Sequence, residues 1–400
     1  MTHFHPSRLV QAMPSNYFAD VDRKIDTYTA RGIDLVHLET GSPDQPTPDH
    51  LVKELDSASR LPENQGYPPY DGKRSLKEAI SEFYQRAYGV SIDPETEVTV
   101  FAGATVAIAA LPQALLNPGE VMLTTDPGYP MYFICPLLAH ASVYGMPVDA
   151  AHDFLPDYRT IPADVLEKAH LLMLNYPNNP TGAVATEKFF ADTVAFSRAQ
   201  QIPVVHDLAY GAFGFEGHKP LSFLQTPGAK EQGIELYTFS KTYNMAGWRL
   251  GFAVGNASLI RSLSDFHDLA HSDVFGAVQD VGAKALRGPQ DSVDRMRALY
   301  ERRRNVLVQS LRAIGWDVQS PKGSFFCWFR VPDGYNSETF AQALLDQAHV
   351  AVAPGAGFGP HGDKFVRACL LEPEDRLREA ARRIAASSVL KKVPMTEKNN

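Results

Sequence analysis

Thr238-Phe239-Ser240-Lys241-Thr242-Tyr243-Asn244-Met245-Ala246-Gly247-Trp248-Arg249-Leu250-Gly251 is the stretch on which the reading of this chain turns. Lys241 sits between two small hydroxyl residues, and Arg249 follows eight positions on. A lysine placed this way can hold an aldehyde as a Schiff base. The Thr238 hydroxyl and the Arg249 guanidinium can grip a phosphate on the same small molecule. An aldehyde and a phosphate on one molecule point to pyridoxal 5′-phosphate, and so to an enzyme rather than a binding module.

Around this stretch the chain alternates short apolar strands with helices. Val98–Phe101, Val121–Thr124, His170–Leu174, Ile202–His206, Ile234–Phe239 and Leu250–Val254 read as strands. Ser75–Tyr88 carries Leu76, Ala79, Ile80, Phe83 and Ala87 at helical spacing. Several strands are apolar on both faces, which suits a mostly parallel sheet covered by helices. From about residue 286 the pattern changes. Arg295–Ile314 reads as a long basic helix, Ser324–Val331, His349–Ala353 and Phe365–Leu370 as strands, and Arg376–Leu390 as a closing helix. Near the start, Val21–Arg31 reads as helix and Asp34–Leu38 as strand, and the proline-rich Gly41–Pro48 excludes a helix. The expected fold class is α/β. A large domain over 46–285 holds the mostly parallel sheet, and 1–45 with 286–400 form an N-terminal arm and a smaller α+β domain. The polar tail Lys391–Asn400 is expected to be disordered.

The 400 residues are 44% hydrophobic and 21% charged, enough to bury a large core. A net charge of −8 argues against nucleic acid and anionic membrane as partners. Cys135, Cys327 and Cys369 lie far apart with no CxxC pair, and read as buried thiols of a reducing compartment. The histidines form no HExxH motif, and no metal is assigned. Met1–Arg8 has no apolar core behind a basic start, so no signal peptide is expected. The most apolar run, Ala102–Leu116, is interrupted by Pro112 and is too short to span a bilayer. A soluble cytoplasmic protein is the expectation.

Further motifs follow other strands. Gly103-Ala104-Thr105 leads into an apolar helix read as Val106–Leu116, whose first N–H groups suit a phosphate. Tyr129 lies in Asp126-Pro127-Gly128-Tyr129-Pro130, where two prolines can hold it as a stacking face for a planar ring. Asn179 lies in Asn175-Tyr176-Pro177-Asn178-Asn179-Pro180-Thr181-Gly182, where it can donate to a phenolate oxygen. Asp207 ends an apolar strand with Tyr210 three residues on. There it can pair with a protonated pyridine nitrogen or cap the next helix, and the residues alone leave both open. Arg367 is one charge inside an apolar strand, and its planar fork fits a carboxylate. Each of these alone also describes an ordinary turn, packing contact or structural ion pair.

Their number and order, from Gly41 to Arg367, resemble the aspartate aminotransferase superfamily, the fold-type-I pyridoxal-phosphate enzymes. The resemblance implies pyridoxal 5′-phosphate as cofactor, and amino acids and 2-oxo acids as substrates of ping-pong turnover. It implies Lys241 as the Schiff-base lysine and general base, Asp207 as partner of the pyridine nitrogen, and Tyr210 and Asn179 on the ring oxygen. It implies Tyr129 stacked on the ring, and Ala104, Thr105, Thr238, Ser240 and Arg249 on the phosphate. Tyr67 matches the tyrosine that reaches the neighbouring subunit's phosphate, so a homodimer with shared active sites is implied. Gly41, Asn179 and Arg367 match the substrate-carboxylate site, and Phe18 is a candidate lining residue for the side-chain pocket. Two departures stand out: Glu39, where the family often has glycine, and Thr238, where it often has serine.

No second arginine for a dicarboxylate side chain is evident. The wording of Gly41–Pro48, Leu172–Val184, Val205–Gly211 and Tyr243–Asn256 is similar to the methionine-salvage branch of the family, which aminates 4-methylthio-2-oxobutanoate with glutamine as donor. The same segments are similar to branches acting on aspartate, aromatic amino acids or LL-diaminopimelate. A C–S lyase of the same fold is the nearest alternative activity. A ligand-sensing regulator is a more distant one, since no basic helix-turn-helix is visible.

Overall fold

A seven-stranded sheet organises the structure, a computed structural model in which residues 4–14, 17–270 and 273–391 are described. The strands, in chain order, are β1 (Val36–His37), β2 (Val98–Phe101), β3 (Val121–Asp126), β4 (Ser142–Pro147), β5 (Ala169–Asn175) and β6 (Val204–Asp207). They continue as β7 (Gly233–Thr238), β8 (Gly251–Gly255), β9 (Phe326–Arg330), β10 (Val350–Ala351), β11 (Ala353–Pro354) and β12 (Phe365–Cys369). The large sheet has the order β2-β8-β7-β6-β5-β3-β4. Within it β4, β3, β5, β6 and β7 are mutually parallel, while β8 pairs antiparallel with both β7 and β2. Six strands therefore point one way and β8 runs against them.

Every residue of β2, β3, β6, β7 and β8 is buried, as expected of strands covered on both faces. Alternation sorts their side chains into two layers. Leu172, Leu174 and Val204 join a core with helices Arg74–Tyr88, Glu187–Gln200 and Gly276–Arg287. Leu171, Met173 and Val205 join the opposite core, against helices Ala104–Leu115 and Ala257–Ala270. Strand β4 escaped the sequence reading because it is a half-exposed edge strand containing Gly145 and Pro147. The helix expected from Val106 begins at Ala104 and continues through Pro112, so Ala104 and Thr105 belong to its first turn.

A third core gathers β9, β12 and the helices Asp291–Ala313, Ser337–Ala348 and Glu374–Ala386. Strands β11, β12 and β9 form a second, antiparallel sheet. The run His349–Ala353, read as one strand, splits in two. Val350–Ala351 pairs in parallel with β1, whereas Ala353–Pro354 pairs with β12. Val36 and Leu38 are buried in this same core, so β1 packs with the C-terminal elements. Cys135, Cys327 and Cys369 are free and buried. Among the described residues no helix is long and apolar enough to cross a membrane. The expectation for the C-terminal tail lies, from residue 392 on, outside the described residues.

The parallel arrangement has one consequence for everything below. The C-terminal ends of β2, β3, β5, β6 and β7 share one edge of the sheet, where open α/β sheets bind ligands.

Candidate active site

Segments following those five strands line one cavity of about 420 Å³. From β2 come Ala104 and Thr105, from β3 Tyr129 and Tyr132, from β5 Asn175 and Asn179, from β6 Asp207, Ala209 and Tyr210, and from β7 Thr238, Ser240 and Lys241. Gly41, Arg249, Arg367 and Phe18 close it. Every residue singled out in the sequence thus meets here except Tyr67, which is 98% exposed and lies outside this cavity.

Lys241 lies in the short helix Phe239–Thr242 directly after β7. Its Nζ donates to the Gly41 carbonyl at 2.8 Å. Burial, then the nearby Arg367 and Arg249 charges, lower its pKa to about 8, against a smaller opposing pull from Asp207. Asp207 is 5% exposed, and burial raises its carboxyl pKa. Its Oδ2 accepts from Tyr132 Oη at 2.7 Å and its Oδ1 from the Ala209 N–H at 3.0 Å. Tyr210 is packed edge-on against Phe325 and Phe326, and burial raises its phenol.

One end of the cavity is built for an anion. The helix start at Ala104 has no side-chain cap, which leaves its first N–H groups to face the corner. Gly103 takes φ 91°, and a Cβ there would lie 2.5 Å from the Arg249 guanidinium. Arg249 crosses this glycine while its Nη1 donates to Ala246 O at 2.7 Å. Thr238 caps the helix that carries Lys241 by accepting from the Ser240 N–H at 3.2 Å, which keeps both hydroxyls at the same corner.

Arg367, 7% exposed, occupies the other end. Nη1 donates to Asn179 Oδ1 at 3.1 Å and Nη2 to the Glu39 carbonyl at 2.7 Å, while buried Nε has no partner. Its guanidinium carbon lies 4.0 Å from the Phe326 ring centroid, 4.8 Å from Phe358 and 5.8 Å from Phe18. Burial lowers its pKa to about 10, a value that still keeps it cationic. Sequence reasoning missed Tyr132, Asn175, Phe326 and Phe358 as site residues. Tyr132 was discoverable, since it falls three positions after Tyr129, one turn along the helix Pro130–Ile134. Asn175 lay inside the quoted octapeptide, where its Oδ1 accepts from the Asn179 N–H at 2.8 Å. Phe326 and Phe358 carried no motif at all.

The model of the family "Aminotransferase class I and II" matches residues 33–384. The chain belongs to this family. It is 51% identical over 95% of its length to the L-glutamine–4-(methylsulfanyl)-2-oxobutanoate aminotransferase of Bacillus subtilis, covering 96% of that protein. It is 42% identical over 94% of its length to an LL-diaminopimelate aminotransferase of Moorella thermoacetica, covering 97% of it. The apo structure of BacF from Bacillus subtilis superposes with a TM-score of 0.92 at 42% identity, over 96% of this chain and 98% of that one. The chain is an aminotransferase of fold type I, and the cofactor of such enzymes is pyridoxal 5′-phosphate.

The cavity fits that cofactor on its own features. It pairs an anion corner at Gly103 and Arg249 with an amine of lowered pKa at Lys241 and a buried carboxylate at Asp207. Two outcomes are expected. In cofactor-free protein, acylation of Lys241 followed by mass spectrometry rises with pH through a midpoint near 8, because the lowered pKa exposes the neutral amine well below the ordinary lysine value. Gly103→Ala drives the Arg249 guanidinium off its seat and weakens binding of pyridoxal 5′-phosphate by about tenfold or more, measured by fluorescence titration.

Proposed function

We propose that this enzyme moves the amino group of a neutral amino acid, glutamine or methionine, to and from 2-oxo acids such as 4-methylthio-2-oxobutanoate, in two ping-pong half-reactions. The observation that carries this reading is the lining of the cavity beyond Arg367. Phe18, Val21, Phe326 and Phe358 offer apolar and aromatic surface, and Asp22 and Glu39 add two carboxylates. The lining cations are Lys241, Arg249 and Arg367, each with a task of its own in this scheme. A thioether packs well on aromatic rings, and a carboxamide can donate to a carboxylate. A substrate side-chain carboxylate would meet like charge, and among the described residues of this chain no further cation lines the cavity to receive it. The Bacillus subtilis relative, an L-glutamine–4-(methylsulfanyl)-2-oxobutanoate aminotransferase, points the same way.

Pyridoxal 5′-phosphate supplies an aldehyde that captures the substrate amine and a ring that draws electrons from the breaking Cα–H bond. Ala104, Thr105, Thr238, Ser240 and Arg249 would hold its phosphate. Asp207, braced by Tyr132, would keep the pyridine nitrogen protonated. Tyr129 would lie on the ring face, and Asn179 and Tyr210 at the ring oxygen. Lys241 would hold the aldehyde at rest, and its Nζ, once freed, would be the base that moves the proton between the substrate Cα and the cofactor's aldehyde carbon. A neutral Nζ is needed to take that proton, and the low pKa supplies it at mild pH. Arg367 receives the α-carboxylate through its fork, with Gly41 alongside; a Cβ on Gly41 would come within 3.8 Å of Nη2.

Tyr67 is 98% exposed, Leu269 91% and Tyr70 62%, large side chains whose exposed surface a second copy of the chain would cover. A homodimer that brings Tyr67 to the neighbour's phosphate corner accounts for that surface. Free buried cysteines agree with a cytoplasmic setting.

Asp22 and Glu39 also suit a distal ammonium, which gives LL-diaminopimelate a claim as donor. A panel with 4-methylthio-2-oxobutanoate as acceptor separates the readings. With this acceptor glutamine should exceed aspartate in kcat/KM by about a hundredfold, of the size expected when a charged group meets a site without its counter-charge; methionine, whose own oxo acid this is, should show the same advantage with a different 2-oxo acid as acceptor. Equal or better turnover of aspartate would refute the neutral-substrate reading, and a preference for LL-diaminopimelate would replace it. Glu39→Gln should raise the kcat/KM for glutamate relative to glutamine by about tenfold, through removal of one repelling charge.

A further inference from the structure

Beneath the cofactor cavity, on the other side of the same strands, lies a buried charged cluster that the mechanism above does not use. His206 and Glu235 both have fully buried side chains, at 0% exposure. They are register partners on the neighbouring strands β6 and β7. His206 Nδ1 and Glu235 Oε1 are 2.7 Å apart. The same Oε1 accepts from the Phe223 N–H at 2.6 Å, and Oε2 accepts from Ser222 Oγ at 2.6 Å and Tyr84 Oη at 3.1 Å. The carboxylate is thus held by four donors, which is what a charge in the core requires.

With Nδ1 fixed on Glu235, the other nitrogen of His206 faces one peptide unit. Nε2 lies 3.3 Å from the Tyr176 nitrogen and 3.0 Å from its carbonyl oxygen. Tyr176 opens the turn Pro177-Asn178-Asn179. On the strand before it, Asn175 donates to the Asp207 carbonyl at 2.8 Å and accepts from the Asn179 N–H at 2.8 Å. Successive residues of a strand face opposite ways, so Asp207 enters the cavity while His206 enters the core.

We propose that His206, clamped by Glu235, is a positioning residue: it fixes the Tyr176 peptide, and through it the seat of Asn179 relative to Asp207. This rests on the assignment of Asn179 to the ring oxygen and of Lys241 to the aldehyde. The two side chains gripping the cofactor from neighbouring strands are then set by one imidazole rather than by two independent turns.

The test uses the purified cofactor-loaded enzyme, full length, with the visible absorption of the Lys241-bound cofactor titrated against pH. His206→Asn keeps a donor where Nδ1 lies but cannot reach Tyr176; His206→Gln keeps an amide where Nε2 lies. If Asn179 is displaced, its support of the ring oxygen weakens and the absorption midpoint rises. His206→Asn should raise it by about half a pH unit or more, and His206→Gln should restore most of that shift. An unchanged midpoint in a folded His206→Asn enzyme, even with lower thermal stability, overturns the proposal. Should that variant fail to fold, Glu235→Gln carries the test: it preserves volume and loosens the clamp, and its midpoint must rise as well, an unchanged value again overturning the proposal. A wild-type enzyme with no such band would instead overturn the assignment of Lys241.

Discussion

Three cations, Lys241, Arg249 and Arg367, line one cavity, and their mutual repulsion is the constraint to which the site answers. Lys241 is bonded to a carbonyl oxygen, not to a carboxylate. The carboxylate within reach, Asp207, has its oxygens engaged by Tyr132 and the Ala209 N–H. Lys241 therefore has no bonded counter-ion, and burial beside Arg367 and Arg249 lowers its affinity for a proton. A lysine clamped to Asp207 would be a stable ion pair and a poor nucleophile. The tyrosine that occupies Asp207 serves reactivity as much as it serves Asp207.

Arg367 obeys the same logic from the opposite side. A buried guanidinium must be hydrogen-bonded, yet its partners here are neutral oxygens of Asn179 and Glu39. Neutral acceptors satisfy geometry without cancelling charge. Aromatic rings at Phe326 and Phe358 stabilise the cation face-on and leave its edge free. The positive charge is thereby left without a bonded counter-ion, as the proposed role toward a substrate carboxylate requires.

The large sheet was legible in the sequence because most of its strands are short, predominantly apolar runs punctuated by Gly, Pro and Asn. Lys241, Asp207 and Asn179 were legible for a related reason: each ends a strand or lies within four residues of its end, so local spacing fixes where its side chain emerges. Tyr132, Phe326 and Phe358 were not. Tyr132 reaches Asp207 across seventy-five positions of chain, and the two phenylalanines arrive from the second sheet and its loop. No local pattern encodes a contact that only tertiary packing creates. The edge strand β4 and the split of β10 from β11 failed for the same reason, since pairing partners and not composition define them.

The departure at Glu39 gains meaning only from that tertiary view. Its backbone carbonyl serves Arg367, a task any residue can perform. Its side chain is a different matter: Oε1 lies 2.9 Å from His37 Nδ1, and Oε2 is buried without a partner. A glycine at this position would supply the carbonyl and no charge. The carboxylate thus adds nothing to the grip on the α-carboxylate, and its cost in desolvation needs another account. Discrimination supplies one. In the proposed scheme a negative group beside Asp22 would disfavour acidic side chains without touching Lys241, Asp207 or Arg367, so specificity could change at this wall while those three keep their geometry.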